Sequence, residues 1–331
     1  MVGPSWVGDM VMAQSLLITL KQHNPDCCID VLAPGWSKPL LERMPEVANA
    51  INMSVGHGQL DLGARWKLGR ELGKRGYSQA ILLPNSMKSA LVPFWADIPK
   101  RTGWVGEMRY GLLNDVRKLD KSHFTMTVQR FVALAFPREE QAIPEIPTPK
   151  LQIDQAIAEQ AMQDLGLGVK QRPVLALCPG AEYGPAKRWP EAHYAGLAAK
   201  MVDHDWDVWL FGSAKDQPVC AEILESVGEH GIDLSGRTSL AQAVDLLSQA
   251  DAVVSNDSGL MHVAAALDRP LVAIYGSSDP GFTPPLNSRS RVLSLGLECS
   301  PCFKRECPKG HLECLTGITV DQVQSTLDEL L

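Results

Sequence analysis

The stretch SNDSGLMHVAAAL (255–267) gathers Asp257, Ser258, Gly259 and His262 within six residues. The apolar run DAVVSN (251–256) delivers the aspartate to a strand end, and Ser258-Gly259 opens a helix-like segment. A helix start presents free N–H groups and the positive end of its dipole, which favours an anion. His262 falls four residues after Ser258, one turn further along the same face. A phosphate or diphosphate carrying a sugar suits this set. A serine N-cap with a packed histidine behind it would give the same spelling. The loop PGAEYGPAKRWPEAHY (179–194) places Lys187 and Arg188 between a glycine turn and a helix that has Pro190 at its start. Cations in such a loop can neutralise a leaving diphosphate, although an exposed basic pair reads identically.

Two further segments stand out. GPSWVGDM (3–10) is a glycine-bearing turn that runs into an apolar, helix-like stretch with only Met1-Val2 ahead of it. A doubly wound domain has a full strand there, so the first strand is expected to be truncated and its neighbours' ladder groups left unpaired. The native start is expected to lie further upstream. ECSPCFKRECPKGHLEC (298–314) spaces Cys299, Cys302, Cys307 and Cys314 as C-x2-C-x4-C-x6-C, with His311 as a spare ligand. A closed structural zinc site of four thiolates is one expectation, a loop of free thiols the other. Cys27, Cys28, Cys178 and Cys220 read as packing residues. Walker A, G-x-G-x-x-G, H-E-x-x-H and G-x-S-x-G patterns are all absent from the chain, which removes the usual support for a dehydrogenase or an α/β-hydrolase.

The elements that must position these loops form two α/β halves. In the first, CCIDVLAP (27–34) and QAILLPNS (79–86) read as strands, and 37–44, 60–76 and 124–136 as helices. PREEQAIPEIPTPKL (137–151) has four prolines in fifteen residues and reads as a linker. In the second, apolar runs at 173–178, 206–212, 251–256 and 270–276 alternate with helical patterns at 190–203, 215–228, 239–249 and 258–267. Continuous apolar strands separated by helices predict a parallel sheet covered on both faces. Every such strand ends in small or polar residues (PGAE, GSAKD, NDSG, GSSDP), at the sheet edge where open parallel sheets bind ligands. The expected fold is α/β: two Rossmann-like doubly wound domains, 1–145 and 146–331, facing across a cleft.

The 331 residues, 45% hydrophobic and 21% charged, describe a globular protein able to bury a large core. A net charge of −7 argues against a nucleic-acid partner. Residues 61–130 nevertheless hold 13 Lys/Arg against 6 Asp/Glu, a basic region suited to an anionic partner or simply a solvated face. The sequence shows no secretory signal and no apolar run of the ~20 residues a membrane span needs, so a cytoplasmic location is expected.

Taken in order, GPSWVGDMVMAQSL, PNSMKSALVPF (84–94), RTGWVGEMRYGLLND (101–115), CPGAEYGPAKRWP (178–190) and NDSGLMHVAAAL (256–267) resemble the ADP-heptose:lipopolysaccharide heptosyltransferases of glycosyltransferase family 9. The resemblance runs over nearly the whole chain. It implies a GT-B fold and an inverting transfer of heptose from ADP-heptose to the lipopolysaccharide inner core, with no catalytic metal. The N-terminal domain would bind the acceptor and the C-terminal domain the donor. It also implies Asp9 as general base and Lys187, Asp257, Ser258, Gly259 and His262 as donor-binding residues. The acceptor, an anionic Kdo–lipid A glycolipid, gives the basic region a purpose, with Lys88, Arg101 and Arg109 as candidate contacts. Arg117 lies in the same half. Peripheral contact with the cytoplasmic face of the inner membrane follows from a lipid acceptor. Two alternatives are a family relative with another acceptor and a non-catalytic nucleotide-sugar-binding protein.

Overall fold

The alternation of apolar runs and helical patterns becomes two parallel α/β units in a computed structural model, which describes residues 1–331 except 57, 58 and 141. The units are Met1–Pro149 and Lys150–Leu331. Their boundary falls inside a proline-rich stretch between the short helix Ala133–Ala135 and the helix Gln155–Asp164, with no regular element among its described residues.

In the first unit the strands are β1 (Asp30–Ala33), β2 (Asn49–Asn52), β3 (Gln79–Leu82), β4 (Lys100–Trp104) and β5 (Asp115–Arg117). β1 pairs with β2, and β3, β4 and β5 pair in order, all parallel. The first three residues join these two sets. Val2 N–H donates to Ile81 O at 2.8 Å and Leu83 N–H to Val2 O at 3.1 Å, while Gly3 N–H donates to Leu32 O at 2.9 Å and Leu32 N–H to Met1 O at 2.9 Å. The expectation of unpaired ladder groups is therefore corrected: three residues satisfy both neighbours, because only the centre of a short sheet has to be bridged. Val2 is buried in a core with Leu32, Leu82, Val92 and Leu113. Counting the Val2 segment as strand one, the order across the sheet is 3-2-1-4-5-6, the doubly wound arrangement.

The second unit repeats that order. Its strands are β6 (Val174–Cys178), β7 (Asp207–Leu210), β8 (Gly231–Asp233), β9 (Ala252–Asn256), β10 (Leu271–Ile274) and β11 (Ser290–Leu293). They lie as β11-β10-β9-β6-β7-β8, all parallel. Every residue of β6, β9 and β10 is buried, as unbroken apolar strands covered on both faces must be. Helices such as Glu191–Asp203 and Val320–Asp328 supply the covering layer through Tyr194, Leu197, Val323 and Leu327.

Each sheet has one place where the winding reverses direction: between the Val2 segment and β3 in the first unit, and between β6 and β9 in the second. Loops leaving the carboxyl ends of those strands part there and leave a crevice. The residues with chemical potential sit on these loops.

Candidate active site

Parallel pairing of Cys178 with Ser255 sets the ends of β6 and β9 side by side. The loop after β6 carries Lys187 and the turn after β9 carries Asp257, and the Lys187 ammonium donates to Asp257 Oδ2 in a largely buried ion pair. Asn256 locks the two loops together. Its Oδ1 accepts from Trp189 N–H at 2.9 Å and its Nδ2 donates to Pro179 O at 2.7 Å. The sequence reading missed Asn256, although a polar residue closing a buried apolar strand is a signal in itself. Trp189, fully buried, fixes the far end of the loop by donating from Nε1 to Ile318 O at 2.9 Å.

Ser258 is the N-cap residue of the helix Gly259–Ala266, but its side chain caps no N–H of that helix. Its Oγ lies 3.2 Å from Ser255 Oγ instead. The simple N-cap reading is thus not what the structure shows, and the helix start keeps its preference for an anion. His262 is buried and packed one turn below. Burial pulls its pKa down to about 4, with Asp257 opposing and Lys187 reinforcing the shift, so it is a neutral imidazole at neutral pH. The arrangement puts a lysine ammonium, a helix N-terminus and a neutral histidine around one crevice, which suits a phosphate-bearing ligand.

In the first unit Asp9 stands in the first turn of the helix Val7–His23, half-buried, where the helix dipole favours negative charge. Beside the helix start, a cavity of about 440 Å³ opens at the carboxyl ends of the Val2 segment, β1, β2 and β3. Gly3, Ser5, Ala33, Asn52, Ser86 and Lys88 are among its lining residues. Lys88 is therefore placed where an anionic ligand of that crevice would meet it.

The family model described as glycosyltransferase family 9 (heptosyltransferase) matches residues 65–313. The chain belongs to glycosyltransferase family 9. It is 50% identical to lipopolysaccharide heptosyltransferase 2 of Escherichia coli strain K12, covering 100% of this chain and 97% of that one. It is 48% identical to lipooligosaccharide heptosyltransferase 2 of Haemophilus influenzae, covering 100% and 98%. Among solved structures, E. coli ADP-heptose lps heptosyltransferase II superposes with a TM-score of 0.88 at 47% identity, over 99% of this chain and 97% of that chain. The fold is accordingly GT-B, and this family 9 member is a glycosyltransferase.

Two expectations need correction. Arg109 of this family 9 chain is buried rather than presented to a ligand. Its Nη1 donates to Pro84 O at 2.7 Å and Ser89 Oγ at 3.2 Å, and its Nη2 to Trp104 O at 2.6 Å and Asn85 Oδ1 at 3.0 Å. Burial lowers its pKa to about 10, which leaves it charged at neutral pH. Arg101 donates from Nε to Leu112 O and from Nη1 to Ile98 O, both at 2.6 Å, and lies 5.5 Å from the centre of the Phe94 ring. Both guanidiniums hold the main chain together, and Arg117 pairs with Asp115 at 3.0 Å. The basic count of this region thus overstates the charge offered to a partner.

The cysteine cluster is not confirmed as a zinc site. Among the described residues no three His, Cys, Asp or Glu side chains are arranged to hold a metal ion. Cys314 packs in the apolar core with Leu315 and Ile318, and its thiol pKa is pushed up first by burial and then by the neighbouring thiols of Cys307, Cys299 and Cys302. Cys307 goes the other way, lowered first by the Leu312 N–H and then by those of Lys309, Gly310 and His311. His311 Nδ1 accepts from Glu313 N–H at 3.0 Å and so is engaged within its own turn. The eight cysteines are free thiols.

Proposed function

We propose that the chain moves heptose from ADP-heptose onto a heptosylated Kdo–lipid A acceptor in the lipopolysaccharide inner core. The observation that carries this reading is the Lys187–Asp257 pair beside an uncapped helix start at the crevice of the second sheet. It occurs in a chain half identical, end to end, to a protein named lipopolysaccharide heptosyltransferase 2.

In this reading Asp9 takes the proton of the acceptor hydroxyl as that oxygen attacks the anomeric carbon. The new glycosidic bond forms on the face opposite the breaking bond to the diphosphate, which inverts the centre. Lys187 and the helix start at Gly259 stabilise the negative charge that grows on the departing ADP. Asp257 orients the lysine, and neutral His262 offers a hydrogen bond without adding a charge. Local stabilisation of the leaving diphosphate by Lys187 and the helix start means that the scheme calls on no catalytic metal.

Residues 1–149 would take the acceptor, with Lys88 contacting its phosphates or acidic sugars. Among the described residues no helix is long and apolar enough to cross a membrane. Exposed lysines such as Lys67, Lys118 and Lys121 would draw the protein to the anionic cytoplasmic face of the inner membrane.

The test offers ADP-heptose with two acceptors, Kdo–lipid A with and without its first heptose, and follows ADP release together with acceptor mass. Transfer onto the heptosylated acceptor alone is expected. Transfer only onto the acceptor lacking heptose would reassign the step, and no transfer onto either would overturn the reading.

A further inference from the structure

The donor crevice as described is electrically self-cancelling. Lys187 is paired with Asp257, and Arg188 lies 3.7 Å from Asp216. His262, with its pKa near 4, adds nothing at neutral pH. A diphosphate needs net positive charge, and those two pairs supply none.

Arg305, on the segment between Cys302 and Cys307, is exposed and makes no ion pair among the described residues. Its guanidinium carbon lies 5.3 Å from the centre of the Tyr183 ring, and Lys187 Nζ lies 5.1 Å from the same centre. The two cations thus share one aromatic platform.

This placement is built into the main chain. Ala186 N–H, next to Lys187, donates to Arg305 O at 3.0 Å, and Tyr183 Oη donates to Phe303 O at 2.7 Å. Phe303 N–H donates to Ser277 O at 2.7 Å, and Ser277 N–H to Ala186 O at 3.2 Å. The contact is close enough that a Cβ on Gly184 would stand 2.5 Å from Arg305 O, so the loop needs glycine there. Next to this junction the hydroxyls of Ser277 and Ser278 are buried without a hydrogen-bond partner among the described residues. Buried hydroxyls are costly unpaired, and phosphate oxygens would satisfy them.

We propose that Arg305 is the second cation of the donor site, binding the diphosphate of the nucleotide together with Lys187. The proposal rests on the donor reading given above. An arginine fork suits the task because it can engage two phosphate oxygens at once.

Calorimetric titration of the full chain with ADP and with adenosine tests it, using wild type, Arg305→Gln, Arg305→Lys and Lys187→Ala. Arg305→Gln should weaken ADP about tenfold and leave adenosine unchanged, with part of the loss recovered in Arg305→Lys. An exposed side chain predicts an unaltered melting temperature for both Arg305 variants. Wild-type ADP affinity in Arg305→Gln, with Lys187→Ala weakened, would overturn the proposal and leave the donor reading standing. Wild-type affinity in both would remove the donor reading as well. Equal loss of ADP and adenosine in Arg305→Gln would also overturn it, since the loop rather than a phosphate contact would then be at fault.

Discussion

His262 is held neutral by burial in the crevice that also carries the Lys187–Asp257 pair, and that has a consequence for stability. Its pKa is about 4 in the fold, against 6.5 for an unperturbed histidine. Between those values the unfolded chain binds more protons than the folded one, so stability rises with pH. The neutral histidine's contribution is complete above about pH 6.5 and is lost as pH falls to about 4, a change on the order of 3 kcal/mol. Urea denaturation of wild type and His262→Gln across this window should show a shallower pH slope in the variant; identical slopes would mean that His262 protonates freely. At this scale the sequence was legible in placement: Lys187, Asp257 and Ser258 lie on the loops that follow β6 and β9, as their spacing predicts. It was illegible where the role depends on what the side chain touches. Arg109 and Arg101 are charges by composition and main-chain braces in the fold, and no count of Lys and Arg separates the two.

Arg109 acts on whole elements. It ties Pro84, Asn85 and Ser89, around the start of the helix Met87–Trp95, to Trp104 at the end of β4. Arg109→Ala would remove four hydrogen bonds from a buried site, those to Pro84 O, Ser89 Oγ, Asn85 Oδ1 and Trp104 O. It should cost about 3 kcal/mol of stability, read by urea denaturation. A change below about 0.5 kcal/mol would show that the guanidinium is free and would restore it as an acceptor contact. The alternating strands and helices could be read from the sequence because buried parallel strands are runs of apolar residues, as β6, β10 and the first three residues of β9 are. The Val2 segment could not, because its pairing depends on β1 and β3, which lie far along the chain. The cysteine spacing does bring four thiols near one another, but how far each is buried, as Cys314 is, is decided by the elements that carry them.

At the scale of the molecule, the same doubly wound order is used twice, and each unit has its own core and its own crevice. Every residue proposed to hold the donor lies in Lys150–Leu331. That fragment, expressed alone, should fold and bind ADP within about threefold of the full chain, as expected of a unit with a self-contained core. Loss of binding in a folded fragment would mean that residues 1–149 help to hold the nucleotide. Transfer is a different matter, since the proposed base Asp9 lies in Met1–Pro149. The most direct test is therefore transfer from ADP-heptose to heptosyl-Kdo–lipid A by wild type and Asp9→Asn, with ADP affinity measured on both proteins. Turnover by wild type, a loss of about 10²-fold or more in Asp9→Asn and unchanged ADP affinity are the predicted results. Wild-type turnover in Asp9→Asn would contradict the assignment of the base and the mechanism built on it.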